Sequence, residues 1–289
     1  MCPEDEQTTE LQQALAENPL QADNGRRYHA FREGSYLMPN DEEEQDRMDL
    51  LHHIYNLALG GELHRSPVKE PQRVLDLGTG TGVWAIDFAE TPPNCIFEVD
   101  DFEAEWPYSR PFDFIHGREL EGCIANDDKL FAQAFKHLSP GGYFELQAAY
   151  TRFLSDDDTG KKATDVHSWC GQLVAGIEKF GKPIDGAPTW KKKLEEAGFQ
   201  DVQQEILKLP IGGWPKDPKL KELGKYQLIQ QIQGAESYTP AVFSRVLGWS
   251  DEEIQVLIAK VRKQFNDPTI HLYIPVYVIW GRKPEQKEE

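Results

Sequence analysis

Residues able to do chemistry gather first in 72–88, QRVLDLGTGTGVWAIDF, where an apolar run ends in Asp76 and three alternating glycines follow, Gly78, Gly80 and Gly82. Val74 and Leu75 read as a buried parallel strand, and Trp84-Ala85-Ile86 as part of a helix. Glycines between a strand and a helix permit a tight reversal and let a ligand approach the backbone, while the helix N-terminus offers free N–H groups. The spacing is D-x-G-x-G-x-G, whereas the dinucleotide fingerprint places its third glycine one residue later to admit a pyrophosphate. A carboxylate just ahead of the glycines repels phosphate and suits a cation, so the loop points to S-adenosylmethionine (SAM), held through its amino group. His116, just past the apolar run FDFI, is expected at the mouth of such a site, as a general base or a group that orients a substrate hydroxyl. Methyl transfer from a sulfonium is an in-line displacement that chiefly demands positioning, so a base is optional.

The elements that must position these residues follow from periodicity. An acidic first turn, Glu42, Glu43 and Glu44, follows the Asn40/Asp41 cap of a helix that runs to about Leu59, with Met48, Leu51, Ile54, Tyr55 and Leu59 at helical spacing and Gly60-Gly61 as its stop. After the glycine loop come strands at IFEVDD (96–101) and FDFIHG (112–117), a helix over 127–138, and a strand at GYFELQAAY (142–150). This order predicts an open α/β sheet with ligands at the strands' carboxyl ends, where Asp76, Asp100, Asp101, His116 and Gln147 fall. Helices are expected over 162–180 and 190–197. A terminal antiparallel pair, 202–211 and 271–284, then carries inserted helices at 217–233 and 250–265 that would build a substrate lid.

Composition narrows the partners. A net charge of −18, from 49 acidic and 31 basic residues, opposes direct binding to nucleic acid or an anionic membrane. Cys2, Cys95, Cys123 and Cys170 lack metal-ligand spacing, so neither a zinc site nor a disulfide framework is expected. The polar N-terminus lacks the basic and apolar parts of a signal peptide, which makes the cytoplasm the expectation with the nucleus also open. Residues 1–25 read as a polar, disordered tail, 26–70 as an N-terminal helical segment, 71–284 as the main domain and 285–289 as a charged tail. Trp84 reads as core, and Tyr28, Phe31 and Tyr36 as anchors or a cover for the site. His52 and His53 diverge on one helix, Arg118 and Glu119 read as surface or supporting pairs, and Asp156-Asp157-Asp158 as a solvated loop.

The ordered motifs DLGTGTGVWAIDF, FEVDDFEAEW, FDFIHGREL, LSPGGYFELQ, LEEAGFQDV, KLPIGGWPKDPKLKELGKY, RVLGWS and YIPVYVIWGRKP, with AFREGSYLMPNDEEEQDR upstream, resemble the fungal LaeA-like family of SAM-dependent methyltransferases. The likeness runs from about Tyr28 to Pro284. It implies a Rossmann-like class I methyltransferase sheet, a SAM cofactor and a setting in fungal secondary metabolism. The chain would be either an enzyme acting on a small molecule, or a SAM-independent accessory or regulatory protein with a protein partner. One departure stands out: the family carries a further segment after its first helix, whereas this chain runs from FAET straight into PPNCIFEVDD. One strand, roughly twenty residues with its connection, is therefore expected to be missing. Either IFEVDD moves inward and Asp100, about 20 residues after Gly80, meets the ribose, or IFEVDD keeps its family role with Asp101 and Phe102 at the adenine.

Overall fold

Apolar and β-branched runs spread along the chain from residue 74 onward pair into a five-stranded sheet. Its strands, in chain order, are β3 (Val74–Leu77), β4 (Phe112–Arg118), β5 (Leu138–Ala149), β6 (Gln200–Ile211) and β7 (Leu272–Arg282). The spatial order is β3-β4-β5-β7-β6. The first three are parallel, and β7 runs antiparallel between β5 and β6. This computed structural model describes residues 21–23, 26–28, 37–89 and 94–285. Most of the expected tail lies outside those residues, as do Phe31 and Tyr36. A two-stranded ribbon, β1 (Gln21–Asp23) with β2 (Arg26–Tyr28), precedes the body.

The helices are α1 (Glu42–Ala58), α2 (Val83–Ala89), α3 (Asp127–His137), α4 (Thr164–Phe180), α5 (Ala187–Glu196), α6 (Pro218–Ala241) and α7 (Asp251–Phe265). Asp41 caps α1 by accepting the Glu44 N–H, and Gly60 and Gly61 stop it with φ of 72° and 92°. A Ser250–Glu253 capping box opens α7. Helices α6 and α7 fill the connection between β6 and β7. Two buried clusters flank the sheet. Phe131, Phe144, Trp190 and Phe199 pack α3 and α5 against one of its regions. The larger cluster joins α1, α4, α6 and α7 to Leu209, Leu272 and Val276. Val276 pairs with Ala149, so this helical layer stands over the carboxyl end of β5.

The segment IFEVDD departs from expectation. Residues 96–101 are coil, with Ile96, Phe97 and Val99 at 76%, 52% and 59% exposure. A strand at 96–101 would leave only residues 102–111 to cross back to β4, shorter than the roughly dozen residues a parallel crossover needs. Both outer strands after the first helix are therefore absent among the described residues, rather than one. As a consequence β3 is an edge strand, and Val74 and Leu75 are half-buried instead of buried.

Candidate functional site

The turn from β3 into α2 holds Gly78, Gly80 and Gly82 at φ of 61°, 59° and 82°, backbone that favours glycine. A Cβ at Gly78 would stand 2.7 Å from Leu120 Cδ2, and one at Gly82 equally close to the Phe97 ring. Asp76, just before the turn, accepts a 2.7 Å hydrogen bond from His116 Nδ1. Since the carboxylate can only accept, Nδ1 carries the proton. His116 is 0% exposed in mid-strand and lies flat against Trp84, with centroids 3.7 Å apart and ring planes 6° apart. Trp84 is anchored in turn through its indole N–H to the Leu63 carbonyl at 3.1 Å. The expectation of His116 at the site's mouth is thus corrected: strand β4 continues through it, and the ring fixes Asp76 from behind.

The coil after residue 94 crosses in front of the glycine turn. Asp100 is exposed, and its carboxylate receives the Asp101 N–H at 2.7 Å, while Asp101 accepts the Glu103 N–H at 2.9 Å. Phe102 has its ring edge 3.9 Å from the Cβ position of Gly78. Further on, Glu103 pins the coil by accepting the Ala125 N–H at 2.6 Å and pairing with Lys182 at 2.9 Å. Asp76, Gly78, Gly80, Asp100, Asp101 and Phe102 thus line one cavity of about 1040 Å³, although no second or third strand carries the acidic residues. Gly82 is buried under Phe97 outside that lining.

The opposite wall is polar and was largely illegible. Arg118 and Glu119, read as surface or supporting pairs, make their pairs on the inside rather than at the surface. Glu119 adopts φ 55°, a strained conformation for a non-glycine residue, and its carboxylate accepts from the Tyr55 hydroxyl and from the Ala149 N–H at 3.1 Å. Arg118 donates to His52 Nδ1 at 2.8 Å and lies over the Tyr55 ring. Burial, with the Arg118 charge second, pushes the His52 imidazole down. Glu44 and Arg47 form a buried two-pronged pair at 2.6 and 2.9 Å beside Tyr238. Burial pushes the Glu119 carboxyl up, and burial together with Glu119 pushes Glu121 well above the usual carboxylate range. Tyr55, Tyr238, Glu121 and Gln227 line the cavity. Tyr55 was visible only as an amphipathic position; the others carried no sequence signal beyond acidic residues just past a strand end.

Elsewhere the divergence of His52 and His53 is seen: one meets Asp87, the other the edge of Tyr226. Tyr28 is buried under Arg245. Asp156 and Asp157 hold Lys208 and His271 at the surface. Among the described residues no helix is long and apolar enough to cross a membrane, and no cluster of three His, Cys, Asp or Glu suits a metal ion.

A family model described as a methyltransferase domain matches residues 46–204. Methyltransferase pytC of Aspergillus terreus is 37% identical over 281 residues, covering 90% of this chain and 87% of the relative. Secondary metabolism regulator LAE1 of Cochliobolus heterostrophus is 32% identical, covering 94% and 97%. The chain belongs to the LaeA-like methyltransferases. A third member, probable methyltransferase tdiE of Emericella nidulans, is 31% identical over 88% of this chain and 87% of its own length. This LaeA-like methyltransferase therefore has the α/β fold of the SAM-dependent class, cut down by two strands, and its relatives come from fungal secondary metabolism. The family's cofactor is SAM, and the glycine half of the site fits it. Thr79 Oγ1, between Gly78 and Gly80, is a buried hydroxyl for which the described residues supply no partner, and the Asp76 carboxylate lines the same cavity. The residues expected at the adenosine, Asp100, Asp101 and Phe102, all lie in coil or turn.

Proposed function

We propose that this chain transfers a methyl group from SAM to a small molecule of a fungal secondary-metabolite pathway. The observation that supports this reading best is the continuity of one cavity of about 1040 Å³ from the glycine turn to a polar wall built by α1, α6 and the turn after β4. A donor site and an acceptor site must share one water-poor space for an in-line displacement, and a cavity of this size holds both a nucleoside and a small acceptor. Asp76, restrained by His116, would hold the amino group, and the Gly78–Gly80 backbone the neighbouring part of the cofactor. Asp100, Asp101 and Phe102 would cover the nucleoside. The bound cofactor supplies an activated methyl on a sulfonium. The protein's part is to orient the acceptor and exclude water, so His116 is a positioning residue in this scheme.

The test is calorimetric titration with S-adenosylhomocysteine (SAH), repeated on Asp76→Ala and Asp100→Ala. Micromolar binding weakened by both changes supports the reading. A folded chain that binds no SAH would instead favour a second reading, a non-catalytic accessory or regulatory protein. The absence of both outer strands among the described residues is the observation on that side.

A further inference from the structure

Glu119 is the first residue past β4, half-buried, and only one oxygen of its carboxylate is engaged. Oε1 accepts from the Tyr55 hydroxyl and from the Ala149 N–H at 3.1 Å, while the residue's own N–H donates to the Gln147 carbonyl at 2.8 Å. These three bonds hold the strained φ of 55° in place. Oε2 makes no hydrogen bond among the described residues, and unlike both oxygens of Glu121 it is not sealed off from the cavity that Glu119 lines. Leu77 pairs with Gly117 two residues earlier, and a Cβ at Gly78 would meet the adjoining Leu120 side chain at 2.7 Å. Glu119 therefore stands beside the glycine turn, where the donor half of the cavity meets the acceptor half. Its neighbour Arg118 lines the same cavity, donates to the unprotonated Nδ1 of His52 and lies over the Tyr55 ring. No carboxylate of the described residues is in ion-pair contact with that guanidinium.

We propose that Glu119 is the catalytic base for an acceptor with an acidic hydroxyl, as in a phenol, whose O–H donates to Oε2. This deepens the methyltransferase reading and rests on it. An ionised carboxylate can only accept, so the ligand must bring the hydrogen. A hydroxyl suits the site better than an ammonium, because the Arg118 charge opposes a cation and steadies an oxygen on which negative charge grows. A hydroxyl also keeps a lone pair free for the methyl carbon while its O–H points at Oε2, whereas an ammonium has none. In the transfer that lone pair forms the O–C bond, and the C–S bond breaks with its pair left on sulfur. The O–H bond breaks with its pair left on oxygen. Glu119 Oε2 receives the proton and passes it to solvent after release. Anchoring through Oε1 keeps the base in position for this step.

The test uses matched probes, 2-naphthol and its methyl ether 2-methoxynaphthalene, titrated calorimetrically into the SAH-saturated full chain at neutral pH. 2-Naphthol is expected to bind at least about tenfold tighter, the gain from one hydrogen bond to a charged acceptor. Glu119→Gln presents an amide instead, and is expected to abolish that preference while leaving SAH affinity unchanged. With SAM in place of SAH, the wild-type chain is expected to form 2-methoxynaphthalene, and Glu119→Gln to lose roughly a hundredfold or more in kcat. That loss should shrink for 6-cyano-2-naphthol assayed above its own pKa, because an acceptor already ionised needs no base, whereas a structural defect slows both naphthols alike. Tyr55→Phe, which releases Oε1, is expected to weaken the preference for 2-naphthol several-fold, and it supplies a second test should Glu119→Gln fail to fold. Equal binding of the two probes, no binding of either, a preference retained in Glu119→Gln, or an equal kcat loss with both naphthols overturns the proposal. So does a naphthol that binds with the expected preference and is not methylated. A loss of SAH affinity in Glu119→Gln also overturns it, by giving the carboxylate to the cofactor. Failure of the wild-type chain to bind SAH refutes the methyltransferase reading separately, and the naphthol titrations without SAH then still decide the hydrogen bond to Glu119.

Discussion

Replacing His116 separates a positioning role from a catalytic one. The ring is 0% exposed, stacks on Trp84 at 3.7 Å and donates to Asp76 at 2.7 Å. In His116→Ala the lost ring leaves a cavity against Trp84, a loss of about 2–3 kcal/mol. The vanished hydrogen bond to a carboxylate adds about 1.5–2 kcal/mol. The sum is about 4 kcal/mol, or roughly 10 °C in Tm for a chain of this size. His116→Phe keeps the stack with a somewhat larger ring but not the donor, so it should cost about 2 kcal/mol or a little more. Urea unfolding at neutral pH measures both variants, and calorimetry with SAH should show about a tenfold loss in each as Asp76 loses its restraint. A His116→Ala variant within about 1 kcal/mol of wild type would refute the reasoning. So would wild-type stability and SAH affinity accompanied by lost turnover, the pattern of a group that touches substrate.

Three further outcomes are expected. Glu145, 0% exposed, accepts the Arg65 and Ser66 N–H groups and the Gln147 amide, so Glu145→Ala should cost about 3–5 kcal/mol in thermal or urea unfolding, and Glu145→Gln less. Gly78→Ala forces a Cβ to 2.7 Å from Leu120 at φ 61°, and should cost about 1–2 kcal/mol and abolish SAH binding in the same titration. The Arg26 guanidinium beside Asp41 lowers its carboxyl from 3.8 to about 2. The folded pKa is depressed, so this contribution is present above about pH 4 and is lost as pH falls through about 2. After solvent screening it amounts to about 1–2 kcal/mol. The stability gap between wild type and Asp41→Asn should therefore close over that window in acid-titrated urea curves.

Much of the fold was legible because local signals agreed with packing. The Asp41 cap, the Gly60-Gly61 stop, the β3 turn and the terminal antiparallel pair stand where residue types placed them. IFEVDD misled because its apolar–polar alternation is that of a strand, yet a strand needs a neighbour, and the short connection to β4 leaves no room to reach one. Trp84 was readable as core from its helix position. His116 was not readable as interior, because an imidazole at a strand end looks the same whether its partner is a substrate or Asp76. The wall of Tyr55, Glu119, Glu121 and Gln227 is drawn from three distant segments, and nothing local marks residues that meet only through tertiary structure.

The exposed position of β3 has a bearing on solubility. An edge strand offers unpaired N–H and C=O groups to any passing chain, and here the edge is bordered by exposed Ile96, Phe97 and Val99. Its defence is brevity and a charge: only four residues long, it carries Asp76 in the middle of an otherwise apolar sequence. The carboxylate that faces the cofactor cavity therefore also discourages edge-to-edge association. A substitution there endangers solubility as well as the site, and its consequences should be followed by light scattering as well as by titration.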